Sequence, residues 1–218
     1  MRIKLEKIKK VIKGVSVLDD ISFEFESGKI YGIVGRNGSG KTMLLRMISG
    51  LIKPTEGIIC VENQQLWKDI DFPPEVGLII EKPVFIEYLS GYDNLKLIAE
   101  IKGITTNNEI EELMKAFSLD PESKQIMKKY SLGMKQKIGI IQAIMESPKL
   151  LVLDEPFNAL DQASVLLLRN KLIDMKLLGA IVIITSHNME DINSVCDVIL
   201  KMEEGKVVGQ EQVKAKEV

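Results

Sequence analysis

The eight residues Gly35-Arg36-Asn37-Gly38-Ser39-Gly40-Lys41-Thr42 constrain this chain more than any other feature. They match G-x-x-x-x-G-K-[ST], between an apolar run at residues 30–34 and a helix-like run from Lys41 to about Ile52, which Gly50 and Pro54 stop. A strand that enters a glycine loop and leaves as a helix belongs to an α/β sheet. The glycines let backbone N–H groups of the whole run, Arg36, Asn37 and Ser39 included, close around phosphate oxygens without Cβ clashes. The helix N-terminus adds a favourable dipole. In that geometry Lys41 pairs with the β- and γ-phosphates and the Thr42 hydroxyl binds Mg²⁺. The run therefore predicts a site for MgATP.

Two further segments supply what hydrolysis needs. Leu150-Leu151-Val152-Leu153 reads as a buried strand ending in Asp154 and Glu155. Nucleotides bind at the C-terminal edge of open α/β sheets, so both carboxylates are expected at the phosphates. Asp154 suits the Mg²⁺ shell through water, and Glu155 suits orienting and deprotonating the attacking water. His187, the only histidine, follows the apolar run at residues 180–185 and emerges at the same edge, within reach of the γ-phosphate.

The rest of the chain fits around this core. Ile21, Phe23 and Phe25 alternate with polar residues as in a half-buried strand, and residues 57–61 are β-like again. Residues 92–102 and 108–117 carry helical apolar spacing, and Asp120-Pro121 breaks the chain after them. Residues 161–178 are long enough for a crossover helix between buried strands, and residues 198–208 read as a closing hairpin. The expected fold is a P-loop NTPase α/β core with a mostly parallel sheet. A small N-terminal antiparallel β portion joins it, and a helical lobe at residues 83–136 is inserted in the single domain 1–218.

Charge excludes one class of partner. With 29 basic and 31 acidic residues the chain carries a net charge of -2, without the basic excess of a nucleic-acid-binding protein. Lys7, Lys9, Lys10 and Lys13 form the densest basic stretch and read as a solvated edge-strand face. Cys60 and Cys196 sit in apolar surroundings without metal-ligand spacing and read as buried hydrophobes in a reducing compartment. No signal peptide opens the chain and no apolar stretch is long enough to span a bilayer, so any membrane part is expected from another chain.

The order of segments carries a resemblance. After the phosphate loop come Tyr130-Ser131-Leu132-Gly133-Met134, Leu153-Asp154-Glu155-Pro156, Ala159-Leu160-Asp161 and Thr185-Ser186-His187. Together they resemble the ATP-binding subunit of ABC transporters over nearly the whole length. The resemblance implies that Ser131 and Gly133 stand at a helix N-terminus and cap the γ-phosphate held by a second copy of the chain. It implies that Asp161 communicates across that homodimer interface, with Glu155 as catalytic glutamate and His187 as switch histidine. A separate transmembrane permease is the implied partner, placing the chain in the cytoplasm on the inner face of the cell membrane.

Three departures from the family pattern are visible. The aromatic residue expected shortly before Val17-Leu18 to stack on adenine is missing, and Val11 or Ile12 stands near its place, which implies weak base selectivity. Leu132 and Met134 replace small and polar signature residues, in a form resembling bacitracin-type drug and peptide exporters. Glu81, within Ile80-Glu81-Lys82-Pro83, occupies the position of a glutamine that touches Mg²⁺ and water, as in lantibiotic self-protection exporters. A carboxylate there accepts from metal-bound water but lacks the amide donor. Two competing classes fit less well. An ABC ATPase acting on DNA or ribosomes would need a long coiled coil or a second cassette, and a GTPase would leave the signature and His187 unexplained.

Overall fold

The computed structural model describes residues 1–213. Continuous burial along three apolar strands explains its architecture. In β3 (Lys29–Val34), β7 (Leu150–Leu153) and β8 (Ile181–Thr185) almost every residue is buried. Successive side chains point to opposite faces, so each strand feeds two cores. Ile30, Leu151, Leu153, Val182 and Ile184 join one, while Tyr31, Ile33, Leu150, Val152, Ile181 and Ile183 join the other. Each fully buried Ile or Leu contributes roughly 1.5–3 kcal/mol relative to exposure.

The main sheet has the order β10-β9-β3-β8-β7-β6, where β6 is Val76–Ile79, β9 Val198–Glu203 and β10 Lys206–Gln212. All pairs are parallel except the β9–β10 hairpin. The first core lies under α4 (Leu132–Ile144) and α5 (Gln162–Leu177), and extends to α2 (Gly91–Lys102) and α3 (Asn107–Ala116). The second is closed by α1 (Lys41–Ile48) and by an antiparallel sheet of order β2-β1-β4-β5, with β1 Arg2–Ile12, β2 Val15–Glu26, β4 Glu56–Val61 and β5 Gln64–Gln65. The short α6 (Met189–Val195) precedes β9. Among the described residues no helix is long and apolar enough to cross a membrane.

Several sequence expectations need correction. The lysines at 7–13 do not lie on an edge strand, because β1 pairs with β2 on one side and β4 on the other. Lys7 and Lys13 adopt φ of 49° and 50°, and Lys7 falls in the stretch where the β1 register shifts, so the charges leave the sheet at irregularities rather than along an open edge. Cys60 is only half-buried, while burial pushes the Cys196 thiol well up. Helix α1 ends at Ile48, a turn earlier than expected. Gly50 there has φ 78°, and Gly50 N and Leu51 N bond back to Met47 O and Arg46 O, closing the helix before Pro54.

Candidate functional site

The C-terminal ends of β3, β8 and β7 lie side by side, with Ile33 opposite Thr185 and Leu153 opposite Ile184. Three loops leave this edge: the glycine loop 35–42 after β3, Asp154-Glu155 after β7, and Ser186-His187 after β8. Topology alone thus gathers segments more than 140 residues apart at one sheet edge.

The glycine loop turns into α1 through Gly40, whose φ of 100° is left-handed. A Cβ at Gly40 would lie 2.6 Å from the Leu18 side chain and 3.0 Å from Val17 O, so conformation and space both require glycine. Lys41 is buried, and its Nζ donates to Gly35 O at 2.7 Å and Arg36 O at 3.2 Å, keeping a positive charge under the loop. Ser39 is also buried, and its Oγ has no hydrogen-bond partner among the described residues. A cleft of about 360 Å³ opens in front, lined by Val17, Asn37, Lys41, Thr42, Asp154, Glu155 and His187 among others. Val17 and Met43 are the apolar side chains of its wall, which Val11 and Ile12 do not line.

Thr42 Oγ1 donates to Asp154 Oδ2 at 2.8 Å, joining α1 to the end of β7. The other oxygen, Oδ1, accepts from Thr185 Oγ1 at 2.6 Å, and Thr185 Oγ1 also accepts from Glu155 N at 2.9 Å. Sequence reasoning gave Thr185 no role, although its place directly before Ser186-His187 is the signal. Glu155 stands on a strained backbone with φ 51°. Burial pushes its carboxyl above the usual range and Asp154 adds to the rise, while His187 opposes both. His187 Nε2 lies 3.0 Å from Glu155 Oε1, yet this buried oxygen accepts no well-formed hydrogen bond among the described residues and keeps capacity for another donor.

The remaining expected residues lie elsewhere. Ser131 caps α4, accepting from Met134 N at 3.2 Å, and is exposed beside Leu132, outside the cleft wall. Gly133 packs on the loop after β7, where a Cβ would meet Ala159 O at 2.6 Å. Asp161 caps α5 through Ser164 N at 2.9 Å and pairs with Lys137 Nζ of its own chain at 2.6 Å. Lys137 and the Ser164 contacts hold the Asp161 carboxyl well below the usual carboxylate range. Lys137 was missed, although a lysine opening the apolar run 137–145 is a visible anomaly. Glu81, with φ 63°, lines a second hollow beside Asp154, Glu155, Leu132 and Gln136, and its Oε1 pairs with Arg46 of α1 at 2.6 Å.

Comparison with known proteins agrees with this geometry. The sequence pattern of the family described as ABC transporter matches residues 18–158. The uncharacterized ABC transporter ATP-binding protein YybJ of Bacillus subtilis is 47% identical over 97% of each chain. The bacitracin transport ATP-binding protein BcrA of Enterococcus faecalis is 36% identical over 94% of this chain and 68% of its own length. The lantibiotic transport ATP-binding protein SrtF of Streptococcus pyogenes is 34% identical over 94% of this chain and 89% of its own. A solved ATP-binding subunit of an ABC transporter superposes with a TM-score of 0.88 at 26% identity, covering 98% of this chain and 90% of that one. On the family match and the near full-length likeness to YybJ, this chain belongs to the ATP-binding proteins of the ABC transporter family.

Proposed function

We propose that this chain is the ATP-hydrolysing subunit of an exporter that moves an antimicrobial peptide or drug. It works as a pair of identical chains on the cytoplasmic face of a separate permease. The observation that carries the reading is the convergence of Lys41, Thr42, Asp154, Glu155 and His187 on one cleft, while Ser131 and Gly133 lie outside its wall. One chain holds the ATP phosphates, and the N-terminus of α4 in a second chain closes over the γ-phosphate with its dipole and Ser131 hydroxyl.

The donor set fits Mg²⁺. Thr42 Oγ1 and both Asp154 oxygens are hard oxygen donors, few in number, as suits an ion that keeps waters and takes phosphate oxygens. When bound, the ion neutralises phosphate charge. Lys41 supplies a fixed positive charge at the β- and γ-phosphates. Glu155 orients a water in line with the γ-phosphorus and takes its proton as the phosphoryl group departs from ADP. His187 holds Glu155 and reaches for the γ-phosphate. From the neighbouring hollow the Glu81 carboxylate would accept from the metal's water shell.

Export of a peptide or drug follows the bacitracin and lantibiotic transport relatives and the Leu132–Glu81 pattern. Val84 is 90% and Tyr88 76% exposed, so large apolar side chains stand in water at the entry to the helical lobe 83–136, the proposed permease docking surface. Purification of the tagged chain from membranes in mild detergent tests the reading. A multi-span membrane protein is expected to co-purify, whereas recovery with ribosomes alone contradicts it.

A further inference from the structure

Residues on both sides of His187 are anchored, and only one anchor belongs to the site already described. On the N-terminal side Thr185 is fixed by Asp154 and Glu155. On the C-terminal side the chain runs into α6, a helix of only seven residues capped by Asn188. Helix α6 sits close over β3, where a Cβ on Gly32 would fall 2.9 Å from Ile192 and 2.9 Å from Cys196. Those apolar contacts set how near α6 lies but give little direction, because hydrophobic contact is non-directional.

Direction comes from a charge pair. Arg169, in the middle of α5, donates from Nη2 to Asp191 Oδ1 at 2.6 Å, and the two side chains are 23% and 11% exposed. Asp191 lies in the first turn of α6, four residues after His187. The Arg169 Nε is buried with no acceptor among the described residues. A desolvated pair with an orphan donor is a poor stabilising device, since apolar residues of the same size commonly do as well or better. What the single Nη2–Oδ1 bond adds is direction, since a charge-assisted hydrogen bond is short and angle-dependent. Helix α5 is capped by Asp161, which Lys137 ties to α4, so Arg169 references α6 to the helix that leaves the loop after Glu155.

We infer that Arg169 is a positioning residue for hydrolysis: through Asp191 it orients α6 and so sets His187 against Glu155 and the γ-phosphate. The inference rests on the function proposed above for His187. It predicts a defect in kcat rather than in ATP binding, because neither Arg169 nor Asp191 lines the cleft.

Steady-state ATP hydrolysis by Arg169→Met, Asp191→Asn and the double variant, beside wild type and His187→Ala, tests it. Each single variant is expected to lower kcat about tenfold, in keeping with a small misplacement of a reacting group. The KM for ATP should stay within about twofold of wild type. The double variant should be no slower than the singles, and Arg169→Met should add no loss on the His187→Ala background. Should Arg169→Met fail to fold, Asp191→Asn, which keeps the side-chain shape, carries the same expectations. Wild-type kcat in these variants beside a His187→Ala that is slowed but still measurable overturns the anchoring role alone. So does a further tenfold loss on the His187→Ala background. A fully active His187→Ala overturns the proposed function and this inference together.

Discussion

One carboxylate, Glu155, meets one residue, His187, at both its oxygens: the backbone N–H of His187 donates to Oε2 at 3.2 Å, while its imidazole Nε2 lies 3.0 Å from Oε1 without a well-formed hydrogen bond. The ends of β7 and β8 are thereby linked at the point where the proposed mechanism activates water. In the proposed role Glu155 has to be charged to take a proton, yet burial favours its neutral form. The site therefore keeps a carboxyl whose proton affinity exceeds that of an ordinary glutamate.

The acid limb of the kcat profile for ATP hydrolysis should lie above the ordinary glutamate value of 4.5, with the rate rising as pH rises through the Glu155 pKa. Stability moves the other way. A carboxyl that holds its proton more tightly when folded stabilises below 4.5, and that contribution is lost as pH rises through the folded pKa. Melting curves should show Glu155→Gln gaining on wild type between pH 4 and pH 8. A constant difference would contradict the burial argument.

Glu81→Gln should keep hydrolysis within about fivefold of wild type, because the Arg46–Glu81 contact is an exposed pair of small net value and the amide oxygen still accepts. Loss as deep as that of Glu155→Gln would show that the carboxylate at this position cannot be exchanged for the amide.

Base selectivity should be weak. Val17 and Met43 are the apolar side chains on the cleft wall, and Ile12 and Val15 stand exposed at the turn between β1 and β2. Such a surface offers neither aromatic stacking nor a hydrogen-bonding code, so kcat/KM for ATP and GTP should agree within about tenfold. A preference of a thousandfold for ATP would point to a reader that the aliphatic wall does not supply.

What was legible in the sequence follows from local chemistry. The glycine loop, the apolar runs of β3, β7 and β8, and the acids after β7 announce themselves by composition and spacing. Parallel packing then brings Lys41, Thr42, Asp154, Glu155 and His187 together without further information. Partners set by tertiary contact were not legible. Lys137 for Asp161, Arg46 for Glu81, Arg169 for Asp191 and Thr185 for Asp154 are defined by helix rotation and strand register. The interior position of β1 was hidden for the same reason, since a lysine-rich strand can be identified locally while its neighbours cannot.

The central claim is that hydrolysis needs a site completed by a second chain. The most direct measurement is the molar mass of Glu155→Gln in solution with and without saturating MgATP, together with its hydrolysis rate. The account predicts a rate about 10²–10⁴-fold below wild type. It also predicts a species of one chain mass without nucleotide and of two chain masses with MgATP. A variant that binds MgATP and remains a single chain would contradict the composite site.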